Sequence, residues 1–384
     1  MMERNRLKVL SDYELEQLTS QVIEIYNQME MELLIDIAHR FSNYSSVSGS
    51  LEWKIKKLEE LGLLNQNSIE IIAKYSNRSE EAIRKMLEES IFGNIDEKEL
   101  NRAFNNGLIS VSPEVMMQSV AIKATLENSF LALGERFKLI NTNAVESAKQ
   151  GYLDILNKSY VEVSSGIYSY NEAIERGIKE MAQSGIKGAT YIKNGKVVKH
   201  SIEAVVRRDT LTAVNQTANR AAIVSAQEMG ANHVEVSSHI GARVSDRSEI
   251  ANHAGWQGKV YLIDGKDDEF DNLYEKTGYG EVEGLSGVNC RHRMFAFFPD
   301  ISKPEVKTFT EEENEKHFKL TQRQRALERR VRRWKKESVM MKAFESPEGY
   351  AEAKANHRKA VDELIKFVDE NGLKRDGLRE LIQE

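Results

Sequence analysis

Apolar positions recur at intervals of three and four through most of the first 185 residues, the spacing that lines one face of a helix. Leu15, Leu18, Val22, Ile25, Met29 and Leu33 predict one long helix reaching about Arg40. Ser11 and Glu14 open it as a capping box, in which hydroxyl and carboxylate exchange bonds with the first free amides. A Ser-, Asn- and Gly-rich stretch, 42–50, reads as a linker, and a second helix is expected over 51–61, stopping at Gly62. Over 68–90 the pattern predicts two short helices about Ser76-Asn77-Arg78-Ser79. That spacing invites a DNA-reading helix-turn-helix, but Glu80, Glu81, Glu88 and Glu89 outnumber Arg84 and Lys85, and a polyanionic groove repels such a helix. A packed helical hairpin is the better expectation. Ser112-Pro113-Glu114 marks another start, a hydroxyl cap followed by Pro at the first helical position. Ile122, Leu126, Phe130, Leu133 and Phe137 continue it, with further helices predicted over 144–163 and 170–183.

Near residue 186 the period changes. Ala189-Thr190-Tyr191-Ile192 and Val197-Val198 flank Asn194-Gly195, a dipeptide that tolerates positive φ at both turn positions and so predicts a β-hairpin. Ser201 then caps a helix over 202–229 that ends at Gly230. Short strand-like runs at 233–238, 258–263 and 294–298 follow, joined by the glycine-rich loops Thr277-Gly278-Tyr279-Gly280 and Gly284-Leu285-Ser286-Gly287. From Lys303 onward the chain is helical again. Leu320, Leu327, Trp334 and Met341 fall seven apart, and Ser346-Pro347 opens a last helix with Val361, Leu364, Ile365 and Val368 on one face and Gly372 beyond its end. The pattern predicts a mostly helical α+β protein in three parts: a helical region over 1–185, a small α+β module over 186–300, and a charged helical tail over 301–384.

Composition fits long helices, since 384 residues hold only four prolines and 23 glycines. The net charge of −6 excludes a generic nucleic-acid binder but leaves room for a local basic patch. With Cys290 as the only cysteine, an intrachain disulfide framework is excluded. The charged start lacks an apolar signal core, and no stretch approaches the roughly 18 apolar residues that span a bilayer, so folding in a cytoplasm with no membrane partner is expected.

The densest run of unusual residues lies between His239 and His292. It reads Ser-Ser-His-Ile-Gly-Ala-Arg (237–243), His-Ala-Gly-Trp-Gln-Gly-Lys-Val-Tyr (253–261), Thr-Gly-Tyr-Gly (277–280) and Gly-Val-Asn-Cys-Arg-His (287–292). In order and spacing these stretches resemble the phage minor capsid protein 2 family of tailed phages, a group related to Mu-type head morphogenesis proteins. The likeness is sharp over about 200–300, weaker over the helical first half and largely absent after Lys303. It implies a low-copy structural protein of the virion, added during head assembly in the host cytoplasm. The expected place is the portal vertex or the capsid interior, the expected partners are the portal protein and other head proteins, and several copies are expected per particle. The resemblance brings no catalytic residues.

The residue types raise three chemistries of their own. His239, His253, Cys290 and His292 offer three imidazoles and a thiolate, a set suited to tetrahedral zinc; equally, they read as hydrogen-bonded core residues beside a small buried thiol. A virion-carried enzyme delivered with the genome is the alternative function. An ADP-ribosyltransferase-like site would use Arg208, Ser237-Ser238 and Glu281-Val282-Glu283, whereas a Cys/His nucleophile would pair Cys290 with His292. Trp256, Tyr261, Tyr274 and Tyr279 read as an aromatic core more readily than as a binding surface. In the tail, Arg323, Arg325, Arg329, Arg330, Arg332, Arg333, Lys335 and Lys336 are interrupted by one acid, Glu328. Such density calls for an anionic partner, either packaged DNA held through its phosphates or an acidic face of a head protein.

Overall fold

The computed structural model describes residues 12–42, 50–94, 97–116, 118–266, 268–304 and 309–380. The predicted cap Ser11 and the linker positions 43–49 lie outside them. The fold is mostly helical α+β. Its helices are α1 (Asp12–Leu18), α2 (Ser20–Ser42), α3 (Ser50–Phe92), α4 (Glu97–Asn105), α5 (Pro113–Met116), α6 (Val120–Ser164), α7 (Tyr170–Ser184), α8 (Ile202–Glu228), α9 (His253–Trp256), α10 (Leu273–Thr277), α11 (Glu311–Ala343) and α12 (Pro347–Glu370). The strands are β1 (Lys187–Lys193), β2 (Lys196–Ser201), β3 (His233–Val236), β4 (Val260–Leu262) and β5 (Met294–Phe297).

In the first half three predicted breaks do not form and one unpredicted break does. The helix expected to run unbroken to Arg40 is interrupted at Thr19, where the Ser20 hydroxyl donates to the Gln17 carbonyl at 2.6 Å. Neither a stop at Gly62 nor a turn at 76–79 occurs; α3 is continuous through both, so neither a helical hairpin nor a helix-turn-helix forms. Its buried positions explain this. Leu64, Ser68, Ile71, Ile72, Tyr75, Ser79, Ile83, Met86 and Leu87 hold helical spacing across the expected turn, so one face stays apolar throughout. A lone glycine, costing about 1 kcal/mol relative to alanine, does not break such a helix. Likewise the helices expected up to Phe137 and over 144–163 are one, α6. Its own start is the Ser119 hydroxyl, which accepts from the Ile122 amide at 3.1 Å, whereas Ser112 caps only the four residues of α5.

The chain forms two compact units. One comprises residues 1–20, 81–135 and 207–321; the other comprises 21–80, 136–206 and 322–384. In the first, β3 is the centre of a three-stranded antiparallel sheet, ordered β4-β3-β5. Val234, Val236, Tyr261 and Met294 from that sheet share one core with Ala222 and Ala226 of α8 and with Ile91, Leu100, Ile109 and Ile122.

In the second unit, Tyr26 stacks on Phe137 and Phe41 on Tyr152. α11 and α12 pack through Leu327, Val331, Ala360, Leu364 and Val368. The hairpin β1–β2 turns through Asn194 at φ 50° and Gly195 at φ 73°, as the Asn-Gly signal predicts. Ser169 and Glu172 cap α7 reciprocally. Two ion pairs are buried. Lys336 Nζ lies 2.5 Å from Glu30, whose other oxygen accepts from the Ile186 amide at 2.9 Å. Arg332 grips Glu203 through Nε at 2.9 Å and Nη2 at 2.8 Å.

Removing one partner of a buried pair strands the other charge out of water, at a cost of about 3–5 kcal/mol. Lys336→Ala is therefore expected to lower chemical-denaturation stability by about that much. The double variant Glu30→Gln with Lys336→Met should recover most of it. A K336A protein as stable as the parent would show that the pair contributes nothing.

Candidate functional site

The four motif stretches meet in the first unit around a loop, 277–292, wound back on itself. The Leu285 amide donates to the Thr277 carbonyl at 2.9 Å, Gly280 N to Leu285 O at 3.0 Å, and Val288 N to Val282 O at 3.0 Å. Two glycines make the winding sterically feasible. A Cβ on Gly284 would sit 2.1 Å from the Gly278 carbonyl oxygen, and one on Gly287 would sit 2.5 Å from the carbonyl oxygens of Glu281 and Val282. No side chain fits there.

So tight a loop carries carbonyls that its own amides cannot serve, and neighbours supply the donors. Three amide side chains of α8 do most of this. Asn215 donates to the Cys290 carbonyl at 3.0 Å and Gln216 to that of Ser286 at 3.0 Å. Asn219, fully buried, donates to the Ser286 hydroxyl at 2.7 Å and the His292 carbonyl at 2.8 Å, while its oxygen accepts from the Met294 amide at 2.8 Å. Arg243 reaches the carbonyls of Glu283 and Val288. Asn314 accepts from the amides of Gly241 and Ala242 at 2.8 and 3.1 Å. Sequence reasoning missed Asn215, Gln216, Asn219 and Asn314. The available signal was three amides within five residues of one helix, Asn215, Gln216 and Asn219.

His253, Cys290 and His292 come together behind this loop, 3%, 3% and 1% exposed, with ligand atoms within 4.8 Å of one another. Their protonation follows from their partners. His253 Nε2 lies 2.8 Å from the Glu283 carbonyl, which can only accept, so Nε2 carries hydrogen and Nδ1 the lone pair. Gln257 Oε1 accepts the His239 backbone amide at 3.0 Å, which fixes it as the oxygen. His292 Nε2, 3.0 Å from the same atom, must therefore also donate, leaving Nδ1 as its lone pair, 3.5 Å from Cys290 Sγ.

Burial sets the charges. It depresses His253 to about 4 and holds His292 well below its ordinary value, so both rings are neutral. The Cys290 thiol is pushed up to about 11 by burial, opposed by the amide hydrogens of His292 and Ser286 and the Asn215 side chain. A thiol raised in this way is not a poised nucleophile.

The fourth predicted ligand, His239, is not in the triple; its half-buried ring stacks on His292 at 4.4 Å. Trp256 and Tyr261 are core residues, Trp256 Nε1 donating to Ile250 O at 3.0 Å and the Tyr261 hydroxyl to Trp256 O at 2.6 Å, whereas Tyr274 is exposed. Of the residues weighed for ADP-ribosyl transfer, Arg208 lies on α8, paired with Asp209 at 2.7 Å, rather than on a strand. Ser237 Oγ accepts from the Arg293 amide, and the exposed Glu283 carboxylate faces Arg247 at 3.6 Å.

The basic run lies on α11 in the second unit, and it is divided. Arg332 and Lys336 are buried in the ion pairs described above. Arg323 and Arg330 both approach Glu363 of α12. Arg325 and Lys335 are half-buried, and Arg329 and Arg333 are exposed.

Motif side chains that bond the surrounding backbone and one another, on a mostly helical chain, are what a structural class of protein would carry. Comparison with known proteins agrees. The chain belongs to the phage minor capsid protein 2 family, whose model matches residues 10–369. It is 28% identical over 296 residues to a structural protein of Lactococcus phage LL-H, covering 74% of this chain and 76% of that protein. Over 103 residues it is 28% identical to a structural protein of Lactococcus phage mv4, covering 27% of this chain and 83% of that protein. No solved structure matches the chain. Among the described residues no helix is long and apolar enough to cross a membrane.

Two substitutions probe the loop. Asn219→Ala strands a buried amide and two acceptors, and should lower urea stability on the order of 3 kcal/mol. Gly284→Ala must displace two carbonyls, and should cost more than Gly280→Ala, where an added Cβ meets nothing within 4 Å and only the positive φ is strained. Equal losses for the two glycines would contradict the steric account.

Proposed function

We propose that this family member is built into the phage head during assembly, as a low-copy component at the portal vertex or on the capsid interior, and acts there by binding. The observation that supports binding over turnover is the destination of the polar atoms of the motif stretches and of α8. Arg243, His253 and Asn219 bond the module's own loop, and His292 and the His239 amide bond Gln257. Such groups hold a shape; none is presented to a substrate.

A second observation bears on the partner. Arg329 and Arg333, one helical turn apart on α11, are both exposed and together with Arg323 and Arg330 form the outward part of the predicted basic run. This supports contact with an anionic partner, either packaged DNA or an acidic surface on the portal or another head protein.

Mass spectrometry of purified particles tests the placement, with the polypeptide expected at low copy in every mature head. Absence from mature particles would overturn it. For the anionic partner, Arg329→Glu with Arg333→Glu is expected to leave the fold intact and to abolish salt-dependent retention of the chain by duplex DNA. Retention unchanged by the double substitution, with incorporation into heads lost, would assign the face to an acidic protein. Heads that form normally with the double variant would remove the basic face from the account.

A further inference from the structure

Cys290 is the only sulfhydryl of the chain, and it is buried against the imidazoles of His253 and His292 in the first unit. The surrounding atoms are arranged as the outer contacts of a metal site. A histidine that binds metal through one ring nitrogen usually donates its other N–H to a fixed oxygen, which sets the tautomer and aims the lone pair. Both rings meet that description independently: His253 is held through Nε2 by the Glu283 carbonyl and His292 through Nε2 by Gln257 Oε1.

The sulfur is buried in the same cluster, where the ligand atoms of all three residues lie within 4.8 Å of one another. The spacing also fits. In a tetrahedral zinc site, with bonds of about 2.3 Å to sulfur and about 2.0–2.1 Å to nitrogen, adjacent sulfur and nitrogen ligands stand roughly 3.6 Å apart. Cys290 Sγ and His292 Nδ1 are 3.5 Å apart.

The geometry points to a zinc site to which His253, Cys290 and His292 supply three ligands, in the core of the first unit. On binding, the Cys290 thiol loses its proton to solvent and sulfur and the two Nδ1 lone pairs close on the ion; no redox step is involved. The tautomers set by the Glu283 carbonyl and Gln257 Oε1 leave both Nδ1 lone pairs available to the ion. His239 stays outside the ligand set and covers His292 from the solvent side, where its ring is half-buried. The assignment does not depend on where the protein sits in the virion.

The test uses the full chain, purified under reducing conditions, dialysed against zinc and then against metal-free buffer. Elemental analysis should find one zinc per chain, and chelation should lower the melting temperature of the unit that holds the module. Replacing zinc with cobalt(II) should produce a thiolate-to-cobalt charge-transfer band, a signature that a purely structural thiol does not give. The band should vanish in Cys290→Ser and persist in His239→Gln. A folded chain that retains no zinc, or a cobalt adduct whose charge-transfer band survives in C290S, overturns the proposal. Stoichiometric loss of metal in a folded H239Q protein overturns the three-ligand assignment. If C290S fails to fold, the metal content and cobalt spectrum of the unaltered chain decide the question.

Discussion

Buried backbone must be hydrogen-bonded, and the loop at 277–292 is where that requirement is hardest to meet. Regular structure satisfies its own carbonyls. A chain wound so closely that Gly284 and Gly287 touch backbone oxygens does not, and the donors must come from elsewhere. They come from α8 through Asn215, Gln216 and Asn219 and from the segment before α9 through Arg243. Gln257, after α9, completes the arrangement by fixing both His239 and His292. The four family stretches are therefore one object. The glycines allow the close approach, the α8 amides and the Arg243 guanidinium donate to the loop, and the imidazoles of His253 and His292 donate to the Glu283 carbonyl and Gln257 Oε1. Asn219 ties the loop to β5 as well, since it bonds the carbonyl of His292 and the amide of Met294.

That dependence explains why the motif was visible in the sequence while its meaning was not. Rare residues in a fixed order identify a family, but the α8 amides that serve them lie 67 to 75 residues before their partners and look unremarkable among other polar side chains. Where a local rule sufficed, the sequence was legible. Asn194-Gly195 turned a hairpin, Ser201 preceded α8, and Ser346-Pro347 opened α12, because each signal is decided within a few residues. Helix ends in the first half were less legible. Gly62 and the Ser76–Ser79 stretch are weak breakers, and their effect depends on whether the apolar face continues past them; in α3 it does.

The tail shows a different limit. Eight basic residues in sequence suggest a helix charged around most of its circumference. Burial is a property of the packed unit, and it turns Arg332 and Lys336 inward to Glu203 and Glu30 while leaving Arg329 and Arg333 outside. No periodicity distinguishes an arginine that meets a distant carboxylate from one that meets solvent. The carboxylates in question are more than a hundred residues away.

Those two buried pairs also bear on when the protein can become itself. Glu30 is translated near the beginning and waits for Lys336; Glu203 waits for Arg332. A chain that ends before α11 lacks both cations, Lys336 and Arg332, that these buried carboxylates face in the second unit.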